Sequence, residues 1–82
     1  MNIEKLTPDE IYDAVYGKNG LYKRTINKIN EMQENREMSK IRELTNKKPQ
    51  WIYMYKKRFD NNEKQITKLQ TILQIANDLG VE

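Results

Sequence analysis

The chain has 82 residues, 15 Lys and Arg against 12 Asp and Glu, a net charge of +3, and neither histidine nor cysteine. Without thiols there is no disulfide scaffold and no thiolate metal site. Without imidazoles there is no histidine general base, no Ser-His-Asp triad and none of the common zinc ligand sets, so no enzyme, metal or cofactor is expected.

A chain this short makes one domain, 1–82, with a modest core. Its opening, "MNIEKLTPDE", is too polar for a signal peptide, and no apolar run approaches the ~18 residues of a spanning helix. A soluble cytoplasmic protein with no membrane partner is expected. The charge is unevenly spread. Residues 1–20 hold two basic and four acidic side chains, whereas residues 40–68 hold nine basic and three acidic, a local net of +6. A concentrated basic segment on a small domain points to a polyanion.

The punctuation places helices in chain order. In "LTPDEIYDAVYG" Thr7 is the N-cap, Pro8 takes the first helical position, and Glu10 completes a capping box. Ile11, Ala14 and Val15 share one face, and "GKNG" ends the segment at residues 17–20. Leu21 to about Asn35 follows, with Tyr22, Ile26, Ile29 and Met32 or Gln33 inward. A short helix then runs from Met38 to Thr45 with Ile41 and Leu44 as its apolar residues. Asn46 suits the left-handed closing position, and Pro49 opens the next helix.

The last segment, "NNEKQITKLQTILQIANDLG", offers an Asn cap, apolar residues at 66, 69, 72, 73, 76 and 79, and Gly80 as terminator. Thr67 is also placed to cap a separate helix. The expected fold is therefore all-α: a compact domain of five helices, or six if the last segment divides.

The stretch "PQWIYMYKKRF" is the ambiguous one. "WIYMY" alone has the aromatic and β-branched character of a strand. A lone strand in a helical chain has no ladder partner for its backbone, which favours a helix over 49–59. At about 100° per residue, Ile52, Tyr55 and Phe59 then face inward, and Gln50, Tyr53, Met54 and Lys57 face outward. A Met-aromatic outer stripe commonly packs on another helix or partner chain. The same side chains also suit base edges and phosphates: Gln for adenine, Lys for guanine or phosphate, Tyr for phosphate, and Met for the thymine methyl.

Order along the chain adds to this. "MSKIRELTNKKPQWIYMYKKRF" is a short helix, a tight turn and a second helix, and it resembles the helix-turn-helix pattern "IAxLTGxSxxTIYRY". Ile41, Leu44, Thr45, Asn46, Ile52 and Tyr55 fall on the patterned positions. "KLQTILQIANDLGV" is similar to "SLETLLKIAEALGV", the close of the Cro and phage-repressor type of helix-turn-helix protein. There Leu69, Ile72, Leu73, Ile75, Ala76, Leu79, Gly80 and Val81 correspond. The resemblance covers residues 21–81 and leaves 1–20 as an extra amino-terminal helix. The sequence departs from the pattern at Met38, Arg42 and Lys47, and at Lys56-Lys57-Arg58 after the recognition helix, and its link to the final helix is longer.

The resemblance implies a sequence-specific double-stranded DNA-binding transcriptional regulator, a repressor type found in phages and mobile elements, that works as a homodimer. Lys48, Gln50, Tyr53, Met54 and Lys57 would meet base edges or adjacent phosphates. Lys40, Arg42, Lys47, Lys56 and Arg58 would meet phosphates. Trp51 would half-bury against the first helix of the pair. The last helix with Val81, or the extra amino-terminal helix, would supply the dimer surface. The other reading is a helical interaction module, an antirepressor or inhibitor, that binds a regulatory protein through Trp51, Tyr53 and Met54.

Overall fold

The computed structural model describes residues 7–82. Its elements are α1 (Pro8–Tyr16), α2 (Leu21–Glu34), α3 (Met38–Thr45), α4 (Pro49–Asp60), a 3-10 turn (Lys64–Ile66) and α5 (Leu69–Leu79). No strand occurs among the described residues, as the all-α expectation requires. The Cα radius of gyration is 12.5 Å, close to the roughly 11–12 Å of a compact domain this long. Residues 1–6, read above for their polarity, lie outside the described residues.

Thr7 caps α1. Its hydroxyl accepts the Glu10 N–H at 3.2 Å and donates to the Glu10 carboxylate at 3.0 Å. Glu10 thus reaches the Thr7 side chain rather than the Thr7 backbone N–H of the expected capping box. The following turn is tight enough to need glycine: a Cβ on Gly20 would lie 2.7 Å from the Val15 carbonyl oxygen. That closeness starts α2 directly against the end of α1.

The central element is α2, which buries Leu21, Tyr22, Thr25, Ile26, Ile29 and Met32. α5 lies along it most extensively, and α1 also packs on it. α3 packs on α5 and α2, and α4 rests on α2 and the 3-10 turn. Val15, Tyr22, Ile29, Ile41, Ile52, Tyr55, Ile72 and Ile75 form the driest part of the core. Asn46 closes α3 in the left-handed conformation, φ 58°, and Pro49 opens α4 after the three-residue link.

Further expectations for the side chains and ends are corrected. Leu44 is 44% exposed, because α3 buries only the ridge of Ile41 and Thr45, and Leu44 falls on its flank. Asn61 and Asn62 end α4 rather than cap the final helix. Asn61 is the C-cap, Asn62 is left-handed at φ 60°, and the Glu63 N–H returns to the Arg58 carbonyl at 2.7 Å. The final segment is interrupted by the 3-10 turn, which resets the helical phase. Ile66 therefore turns to solvent at 54% exposure. Within α5, Ile75, absent from the expected stripe, is fully buried on the same face as Ile72, Ala76 and Leu79.

Lys68, not Thr67, occupies the N-cap of α5. Thr67 is 2% exposed and serves the core instead. Its hydroxyl lies 3.0 Å from the Tyr22 hydroxyl, which in turn donates to the Tyr55 carbonyl. Because that proton is committed, the Thr67 hydroxyl is the donor to Tyr22. The Tyr16 hydroxyl donates to the Thr67 carbonyl at 2.6 Å. The Thr25 hydroxyl donates to the Tyr22 carbonyl at 2.6 Å and stands 2.7 Å from the Tyr55 hydroxyl, which therefore donates to it. This circuit ties α1, α2, α4 and the 64–68 segment together through satisfied buried groups. Burial raises the hydroxyl pKa of Tyr55, Tyr22 and Tyr16, because the charged phenolate would be desolvated.

Candidate nucleic-acid interface

Tyr55, held by this circuit, fixes the rotation of α4. With Ile52 at 0% and Tyr55 at 1% exposure, the helix turns the opposite face outward. Gln50, Tyr53, Met54 and Lys57 are all exposed there. The expected inner and outer stripes are thus both found, with Phe59 half-buried at the inner edge.

One flank of the outward face forms an open groove of about 460 Å³. Gln50, Trp51, Met54 and Arg58 of α4 line one side, and Asn46, Lys47 and Lys48 of the preceding turn line the other. Trp51 is half-buried as expected, but its aromatic and cationic partners are Tyr55 and Lys47. Its ring stacks on Tyr55 at 5.3 Å between centroids, and the Lys47 ammonium sits 4.7 Å above it. On the other flank the Lys57 ammonium lies 5.8 Å from the Tyr53 ring. Such contacts are worth roughly 0.5–1 kcal/mol at exposed sites and leave the charge available to a further partner.

Lys47, Lys48 and Arg58 therefore gather along one flank of α4, and Lys57 lies on its outer face. Lys40 and Arg42 are exposed on α3. Lys40 is ion-paired with Glu37 at 3.4 Å, the only ion pair among the described residues. Lys56 is placed differently from the other expected phosphate contacts: its ammonium donates to the Gln33 side-chain oxygen at 2.8 Å, toward α2. α4 has no acidic residue in its first turn, so the positive end of the helix adds to Lys47 and Lys48.

Compared with protein families, curated proteins and solved structures, the chain matches none.

Two features of this region were not legible in the sequence. Gln33 joins three elements: besides Lys56, its amide donates to the Met38 sulfur at 3.5 Å. Phe59 carries two lysines, Lys64 at 4.9 Å and Lys23 at 5.6 Å from its ring. Helical spacing cannot reveal either cluster, because each is assembled from different elements. Among the described residues no group of three or more metal-ligating side chains converges. No described helix is long and apolar enough to cross a membrane.

Proposed function

We propose that the chain is a sequence-specific double-stranded DNA-binding regulator in which α3 and α4 act as a helix-turn-helix and α4 enters the major groove. The observation that carries this is the outward face of α4. It offers exposed Gln50, Tyr53, Met54 and Lys57, and Lys47, Lys48 and Arg58 border it with no carboxylate ion-paired to them among the described residues. A helix about 10–12 Å across fits a B-form major groove. Gln50 and Lys57 are then the base-edge readers, with Met54 against a thymine methyl and Tyr53 at an adjacent phosphate. Lys47, Lys48 and Arg58 hold phosphates from one flank, and Lys40 and Arg42 extend the contact along α3. Lys56 steadies α4 on α2 through Gln33 and is secondary in this scheme.

A single module of this kind makes a small interface, so a homodimer reading two half-sites about 34 Å apart is part of the proposal. A repressor role on a phage, plasmid or other mobile element follows from the small size and the resemblance given above. The test is a fluorescence-anisotropy titration on duplex DNA, followed by selection of preferred sites from random duplexes. The expected result is salt-dependent binding and enrichment of a two-fold symmetric site.

A second reading is supported by Tyr53 and Met54, 57% and 45% exposed, beside Trp51. That aromatic-Met surface suits a protein partner. Absence of duplex binding at about 50 mM salt, where phosphate contacts are strongest, together with a stoichiometric protein complex, would favour it.

A further inference from the structure

α5 differs from the other described α-helices in its charge. It holds one charged residue, Asp78, among its eleven, whereas α1, α2, α3 and α4 each hold three or more. Its inward side is Ile72, Ile75, Ala76 and Leu79. Its exposed side chains are Gln70, Gln74 and Asn77. Spaced four and then three residues apart, they stand in one stripe down the outside of the helix. In a chain that is 33% charged, a solvated helix face is expected to carry Lys and Glu, which keep a surface soluble. Loss of charge is what marks the centre of a protein–protein contact.

The chemistry of the stripe indicates the partner. A two-fold contact sets a patch against itself, so a charged patch repels its own copy. A carboxamide both donates and accepts, so an amide stripe is its own complement. The one nearby charge is already engaged: the Gln74 amide donates to the Asp78 carboxylate at 2.8 Å. At about 100° per residue, half-buried Leu69 and Leu73 border the stripe on the edge away from Asp78. α1 is ill suited by the same test, because its exposed Asp9, Glu10 and Asp13 would meet the same carboxylates. The α4 face would meet its own cations.

The stripe also adjoins the α4 surface. Lys47 lines the α4 groove, and it lines a second hollow of about 200 Å³ with Gln70, Thr71, Gln74 and Ile75. No residue of α4 lines that hollow, so a copy seated on α5 stands beside the α4 face rather than on it.

We propose that the Gln70–Gln74–Asn77 stripe of α5 is the surface on which a second copy of the chain docks, amide against amide. This rests on the DNA-binding reading for the need of a dimer, and it assigns that dimer a surface. Gln74 is the middle of the stripe, so it lies against the same stripe of the copy.

The experiment is sedimentation equilibrium of the full chain at about 50 mM salt, where charges across a contact are least screened. The parent is expected to dimerise reversibly. Q74K and Q74E, each placing like charges across the two-fold, are expected to raise the dimer dissociation constant by about tenfold or more. An equimolar mixture of Q74K and Q74E is expected to associate again. Circular dichroism melts establish that the variants fold, and N77K with N77E repeats the pair if either Gln74 variant does not. A parent still monomeric at about 1 mM overturns the inference. So do charge variants that dimerise as the parent does, and a mixture no more associated than its components. If that parent nonetheless binds duplex DNA with a salt-dependent affinity, the α4 reading stands without this surface. A parent that dimerises as described and binds no duplex at about 50 mM salt supports the α5 contact and overturns the α4 reading.

Discussion

Replacing Tyr22 with Phe removes one oxygen and leaves the ring in place. That oxygen donates to the Tyr55 carbonyl and accepts from the Thr67 hydroxyl. Both Tyr22 and Thr67 are essentially dry, at 0% and 2% exposure. The Tyr55 carbonyl keeps a helical partner within α4, but the Thr67 hydroxyl is left with a proton and no acceptor in reach of water. A buried polar group stranded in this way costs about 1–3 kcal/mol. Taking the middle of that range, about 2 kcal/mol in a domain of this size lowers the melting temperature by about 8–16 °C. The tilted ring contact with Tyr55, at 4.5 Å between centroids, should survive and keep the loss from growing further. Far-UV circular dichroism melts of Tyr22→Phe give the answer, with Tyr12→Phe as the control because Tyr12 is 50% exposed. A Tyr22→Phe protein melting within about 2 °C of the parent would refute the circuit as a source of stability.

The same circuit gives the fold an alkaline limit. Burial raises the Tyr55, Tyr22 and Tyr16 hydroxyls above the ordinary value of 10.0. Their contribution is full below about pH 10, where unfolded tyrosines keep their protons, and is lost above it, most of all through Tyr55, by at most about 1.4 kcal/mol per pH unit for one tyrosine. Melting temperatures should therefore decline steeply from about pH 10 upward, and less steeply in Tyr22→Phe; a flat profile to about pH 12 would contradict this. Ile52→Ala opens a cavity beneath α4 and should cost about 2–5 kcal/mol, read by urea denaturation. A transition midpoint equal to the parent's would mean that the site collapses without loss. Gln50→Ala should cost about 1–3 kcal/mol on the preferred duplex and relax its sequence preference, while leaving non-specific binding intact. Equal losses on every sequence would move Gln50 from base reading to phosphate contact.

Much of the fold was legible because its punctuation is chemically specific. Thr7-Pro8, Gly20, Asn46, Pro49 and Gly80 each do locally what the backbone needs, and the helix ends fall at or within a residue of them. The two faces of α4 were also legible, since Ile52 and Tyr55 are one turn apart and buried on the same side. Legibility failed where periodicity was carried across a break. Asn61, Asn62 and the 3-10 turn shift the phase, so Ile66 points out, whereas Ile75 keeps helical spacing with Ile72, Ala76 and Leu79 inside α5. It failed again for contacts between elements: Lys56 turning to Gln33, Thr67 meeting Tyr22, and two lysines meeting Phe59 have no signature in linear spacing.

The central claim is that the outward face of α4 and its flanking cations engage duplex DNA. Its most direct test is the affinity of the parent protein for duplex DNA as a function of salt, measured beside Lys47→Ala and Lys48→Ala. The account predicts that log affinity falls linearly with log salt, and that each substitution lowers the slope by about one without altering sequence preference. A slope near zero in the parent, or slopes identical in all three proteins, would contradict it.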